Sequence, residues 1–179
     1  DLGENYLQEA FDKIPHFADK PINWHFIGTV QSKKVKQMLG LFELWHGVDR
    51  ESVLTELSKR NSGPSQKILI QVNVAEEAAK SGLPARELLT FLESAQKLSG
   101  FSIHGLMTMP PLFVSEKMSR TYFAKLRNLL ESSKKYVDTS LHPMKELSMG
   151  TSQDYTWAIQ EGATIVRLGE VLVGPRESV

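Results

Sequence analysis

Two short segments carry the residue types that could do chemistry. Leu147-Ser148-Met149-Gly150-Thr151-Ser152 ends a strand-like run and precedes a helical run that starts at Asp154. A strand, then hydroxyl and glycine residues, then a helix start presents hydroxyls and free backbone N–H groups, a geometry suited to an anion such as phosphate. The plainer reading is an N-cap by Ser152 with Gly150 in a turn. The second segment is Thr164 to Arg176. Arg167 lies within Ile165, Val166 and Leu168, and a buried arginine needs a partner. That partner is either a carboxylate of the protein or a polar atom of a ligand. Gly169 shares the Arg167 face, Gly174 follows, and glycines at strand ends let a ligand approach the backbone. Asn5 is a further polar candidate, as ligand contact or helix cap. His25, His46 and His104 each fall on a strand-like run; beside bulky apolar neighbours they read as core histidines rather than zinc ligands. No HExxH, GxSxG, P-loop or GxGxxG pattern occurs.

These residues must be positioned by alternating elements. Strand-length runs occur at 24–28, 44–49, 68–74, 102–107, 146–149 and 164–168. Several are apolar on both faces, as parallel strands covered by helices should be. Helical spacing marks Leu7 to Ile14, Val35 to Leu39, Val53 to Leu57, Leu88 to Ala95, Tyr122 to Leu130 and Asp154 to Glu161. Asp49 is expected to cap the third of these and Pro84 to open the fourth, with Gly100 and Gly162 as stops. Residues 61–66 and 110–119 read as surface loops. The alternation predicts an α/β fold with a parallel sheet, either doubly wound or a (β/α)8 barrel, and 179 residues are few for a complete barrel. If 146–149 and 164–168 are the last two barrel strands, the two chemistry-bearing segments meet where barrels often hold phosphate.

Composition narrows the function. With 21 Lys+Arg against 21 Asp+Glu, the net charge is zero, which removes the basic footprint of a nucleic-acid binder or a polybasic membrane-surface protein. The absence of cysteine excludes a thiolate nucleophile and thiolate-bound zinc and fits a reducing compartment. No apolar run reaches membrane-spanning length. Neither nucleic acid nor membrane is expected as a partner, and cytoplasmic placement is.

The ordered set Gly3-Glu4-Asn5-Tyr6-Leu7-Gln8-Glu9, Trp24-His25-Phe26-Ile27-Gly28, Gln31-Ser32-Lys33-Lys34, Gln71-Val72-Asn73-Val74, Lys80-Ser81-Gly82, Gly105-Leu106-Met107, Leu147-Ser148-Met149-Gly150 and Val166-Arg167-Leu168-Gly169 resembles the pyridoxal-phosphate homeostasis protein family (YggS/PROSC-like). The resemblance runs from Gly3 to Arg176. It implies one barrel domain over residues 1–179, a (β/α)8 TIM-type barrel like the alanine racemase N-terminal domain. It also implies a non-catalytic carrier of pyridoxal 5′-phosphate (PLP) in intracellular PLP homeostasis. Carried over by motif, Ser148, Thr151 and Ser152 contact the phosphate, Gly169 lets it approach, and Arg167 faces the pyridine nitrogen. Asn5 sits near the phenolic oxygen and Met107 lines the pocket. The family lysine that anchors the cofactor covalently lies upstream of the Gly-Glu-Asn-Tyr motif. The resemblance therefore places it, the first strand and most of the second outside this chain. Lys33, Lys34, Lys36 and Lys80 fall in loops or helix starts, and Lys67 and Lys145 point to the opposite end. A barrel lacking these strands exposes two edges and is expected to be unstable alone, to associate with itself or to close through a swapped segment. A racemase-like PLP enzyme and a phosphate-ligand barrel without PLP are the alternative functions.

Overall fold

The computed structural model describes residues 1–77, 80–111 and 114–174. Its apolar runs form strands β1 (Leu2–Glu4), β2 (Trp24–Thr29), β3 (Leu44–Val48), β4 (Gln66–Asn73), β5 (Leu83–Pro84), β6 (Phe101–Met107), β7 (Glu146–Thr151) and β8 (Ile165–Arg167). The sheet runs in the order β1-β2-β3-β4-β6-β7-β8, with β5 pairing β4 off this path. All pairings are parallel. Helices α1 (Leu7–Lys13), α2 (Val35–Met38), α3 (Glu51–Arg60), α4 (Leu88–Ala95), α5 (Glu116–Ser133), α6 (Tyr155–Gln160) and α7 (Glu170–Val173) lie along the connections. A parallel sheet in near-sequential order, each strand returned by a crossover, is the wall of a (β/α) barrel. The wall is near-closed: its path ends at β1 and β8, which do not pair with each other among the described residues.

Alternation along the strands separates two cores. Ile68, Ile70 and Val72 pack outward with Leu54, Leu57, Leu88 and Phe123 of the helices. Leu69 belongs instead to a small inner cluster with Leu44 and Met107, against which Ile165 packs. The same parity sends Leu147 and Met149 outward and Ser148 inward. At Gly105 the neighbouring backbone fills the space a side chain would need. A Cβ on Gly105 would lie 1.9 Å from the Glu146 carbonyl oxygen of the neighbouring strand.

Local chemistry departs from expectation at three places. Asp49 does not cap α3; Arg50 holds the N-cap position without a side-chain bond. The Asp49 carboxylate instead accepts from the Gly82 N–H at 3.1 Å and from Arg50 Nε at 2.7 Å. Pro84 sits in β5, because its neighbourhood is drawn to the end of β4, and a 3-10 turn precedes α4. The helix of residues 122–130 begins earlier, at Glu116, where the Ser115 hydroxyl accepts from the Met118 N–H. The 110–119 loop is thus shorter than expected, and its residues 112 and 113 lie outside the described residues.

Candidate functional site

The carboxyl ends of the strands surround a cavity of about 970 Å³. Asn5, Met107, Thr151, Arg167 and Gly169 line it, together with Gln71. β7 and β8 are neighbours at the end of the sheet path, and Thr151 pairs with Arg167 across a register shift. That pairing brings the two chemistry-bearing segments together.

Arg167 lies on β8 and points into the barrel. Its Nη1 donates to Ser148 Oγ at 2.5 Å, and its Nη2 donates to the Thr108 carbonyl at 2.9 Å and lies 2.9 Å from Met109 Sδ. Among the described residues no carboxylate lies within ion-pair distance of it. Burial pushes its pKa down to about 10, opposed in part by the field of Asp154, so it remains a cation at neutral pH. A desolvated cation with only neutral acceptors retains unspent capacity for an electron-rich partner. Of the two partners weighed from sequence, the protein carboxylate is therefore not what the fold supplies.

Behind Arg167 stands His46 on β3, fully buried. Its Nδ1 is 2.8 Å from Ser148 Oγ and its Nε2 is 3.2 Å from His25 Nδ1. Burial first, then the charge of Arg167, pushes its pKa down to about 3, so the ring is neutral. Burial likewise lowers His25 and His104. Among the described residues no group of three or more His, Asp or Glu side chains is placed to hold a metal ion. Buried and hydrogen-bonded through both ring nitrogens, His46 is a satisfied interior histidine.

At the rim, the β7 segment folds back on itself. The Thr151 N–H and hydroxyl both donate to Asp154 Oδ1, at 2.7 and 3.1 Å. Ser152 does not cap α6. Its Oγ accepts from the Gly169 and Val171 N–H groups, each at 3.3 Å. A single hydroxyl oxygen thereby gathers two backbone donors, the arrangement an anion's oxygen would take. Gly150 has φ +91°, and a Cβ there would lie 2.5 Å from the Ala158 Cβ, so the turn from β7 into α6 requires glycine. Gly169 differs: a Cβ there would meet nothing within 4 Å and would project into open space beside the cavity.

Ser148 is fully buried with its hydroxyl committed to Arg167 and His46, whereas Thr151 faces the cavity. Asn5 does not cap α1, whose N-cap position is Tyr6, and so remains available to the cavity. Sequence reading missed the Thr108 carbonyl, the coupling of His46 to Arg167, and the role of Asp154. Only the last had a local signal, an acidic residue at a helix start. Among the described residues that line the cavity none is a lysine. Lys67 pairs with Glu43, and Lys80 pairs with Glu77 at 3.2 Å. Arg176 lies outside the described residues.

The alanine racemase N-terminal domain family matches residues 1–177. The pyridoxal phosphate homeostasis protein of Pseudomonas aeruginosa is 40% identical over 179 residues, covering 99% of this chain and 75% of that protein. This chain belongs to the pyridoxal phosphate homeostasis protein family. The member from Aquifex aeolicus is 39% identical over 98% of this chain and 76% of its own length. Among solved structures, PipY of Synechococcus elongatus without PLP superposes with a TM-score of 0.88 at 31% identity, covering 96% of this chain and 80% of PipY. PipY with PLP bound gives a TM-score of 0.79 over the same shares. The family's barrel is the one described above. Among the described residues no helix is long and apolar enough to cross a membrane.

Proposed function

We propose that this chain holds PLP at the carboxyl rim of its barrel, as one unit, and serves cytoplasmic PLP homeostasis without catalytic turnover. The observation that carries this reading is Arg167, a desolvated cation with no carboxylate partner among the described residues, next to a rim whose donors are gathered on a single hydroxyl. PLP supplies an aldehyde and an electron-withdrawing ring. The N–H groups of Gly169 and Val171, with the Thr151 and Ser152 hydroxyls, would bind its phosphate, the phosphate replacing Ser152 Oγ as their acceptor. The open space at Gly169 admits that approach. Arg167 would donate to the pyridine nitrogen. An arginine cannot take up that nitrogen's proton, so the ring stays a weak electron sink, which suits a carrier better than a racemase. Asn5 would meet the phenolic oxygen and Met107 would form a wall. Ser148 would act by aiming Arg167.

The names of the relatives and PLP in PipY support the ligand. One observation favours a second reading: among the described residues no lysine lines the cavity, as a barrel for other phosphate compounds would also show. Melting curves with PLP, pyridoxal and inorganic phosphate separate the two. PLP alone should raise the melting temperature strongly; equal shifts from unrelated phosphate esters would favour the second reading. Intact mass after borohydride reduction with PLP then reports whether any lysine of this chain attaches. Amino-acid racemisation above the rate of free PLP would overturn the non-catalytic assignment.

A further inference from the structure

Arg167 can only donate, so Ser148 Oγ accepts from it and keeps its own proton for a further partner. Its Nη1 gives one proton to Ser148 Oγ. Ser148 has a single proton of its own, and among the described residues His46 Nδ1, 2.8 Å away, is the acceptor it can reach. If Ser148 gives that proton to Nδ1, the neutral His46 carries its own proton on Nε2, which donates to His25 Nδ1 at 3.2 Å. Side chains from β8, β7, β3 and β2 thus form a one-way chain across the barrel interior, with Ser148 and His46 fully buried at its centre. Its effect falls on Arg167. With its proton held by His46, the Ser148 rotor is fixed and keeps an oxygen lone pair turned to Nη1. Among the described residues no carboxylate orients the guanidinium, and that lone pair, the Thr108 carbonyl and Met109 Sδ are the acceptors that fix its plane.

We propose that His46 is a positioning residue that, acting through Ser148, aims the Arg167 guanidinium at the ligand of the rim cavity. The identity of that ligand rests on the PLP reading above; the positioning does not.

Imidazole 15N spectra of the unliganded chain at pH 7 should show His46 protonated on Nε2 and bare on Nδ1. Protonation on Nδ1 would overturn the proposal. PLP titrations followed by tryptophan fluorescence then compare wild type with Ser148→Ala, His46→Leu and His46→Asn. The first two should weaken binding about tenfold, the size of one lost oriented hydrogen bond. His46→Asn, whose amide oxygen can accept from Ser148, should recover most of that loss. Equal losses in the leucine and asparagine variants, following their melting temperatures, would reduce His46 to a core residue and sink the proposal. If wild type binds no PLP, the cofactor reading fails. Side-chain NMR order of Arg167, lowered by His46→Leu and kept by His46→Asn, then decides the positioning by itself.

Discussion

Arg167 is where removing one residue separates binding from folding. Its partners are a hydroxyl, a carbonyl and a thioether, so Arg167→Met leaves no opposite charge stranded in the interior. The Thr108 carbonyl loses a donor, worth about 1 kcal/mol. Relief from burying an unpaired cation offsets that cost. The expected outcome is a melting temperature near that of wild type with PLP affinity lowered about 10- to 100-fold, since hydrogen bonds to charged groups are worth about 1.5–3 kcal/mol. Calorimetry and titration of the same preparation check both halves; a variant that loses stability and affinity together would contradict the unpaired-cation account. The sequence marked Arg167 as a charge within an apolar strand that needs a partner, and the fold leaves it part-buried among neutral ones. It held no trace of Ser148, Thr108 or His46 as those partners, because they come from strands whose adjacency only the sheet order creates.

At the scale of elements, two glycines in strand-end motifs behave in opposite ways. Gly105 lets β6 and β7 lie against each other, and any Cβ there enters the Glu146 carbonyl. Gly105→Ala should destabilise the fold by about 2 kcal/mol or more, read from denaturant midpoints. Gly169 stands at the end of β8 with open space on its Cβ side and φ −120°. Gly169→Ala should change stability by no more than about 0.5 kcal/mol. It should nevertheless weaken PLP, because the methyl group occupies the approach to the Gly169 and Val171 donors. If both variants lost stability alike, the cradle at the end of β8 would be misread. Both glycines stand in quoted sequence motifs, yet their different reasons lie in what faces each backbone.

Acid sensitivity and association belong to the molecule as a whole. His46 takes up a proton in the folded chain only near pH 3, whereas an unfolded imidazole does so near its ordinary value of 6.5. Between those values the unfolded state binds more protons, so stability rises with pH. The full contribution is present above about pH 6.5 and is lost as pH falls toward 3, at up to about 1.4 kcal/mol per pH unit. Burial shifts His25, His104 and His142 in the same direction. Denaturation from pH 7 to 4.5 should show this slope, and His46→Leu should flatten it; an unchanged slope would assign the acid sensitivity elsewhere. The sheet path ends at β1 and β8, unpaired with each other among the described residues. Open parallel edges invite pairing, so light scattering after size exclusion should give a mass above one chain that rises with concentration. A compact monomer that melts cooperatively would refute this.

By itself the sequence determined the alternation of strands and helices, the parallel sheet and the ordered motifs that mark the family. These are readable because hydrophobic periodicity and short glycine-bearing turns are local properties of the chain. It also singled out Asn5, Met107, Thr151, Arg167 and Gly169, all of which line one cavity. Tertiary structure alone decided who touches whom. Ser152 gathers the N–H groups of Gly169 and Val171 rather than capping α6, and Asp154 takes Thr151. Asp49 reaches Gly82, and the imidazole of His46 stands behind Arg167 by way of Ser148. Each of these contacts depends on the closing wall of strands bringing distant backbone segments within hydrogen-bond reach, where the nearest donor or acceptor in space displaces the nearest one in sequence.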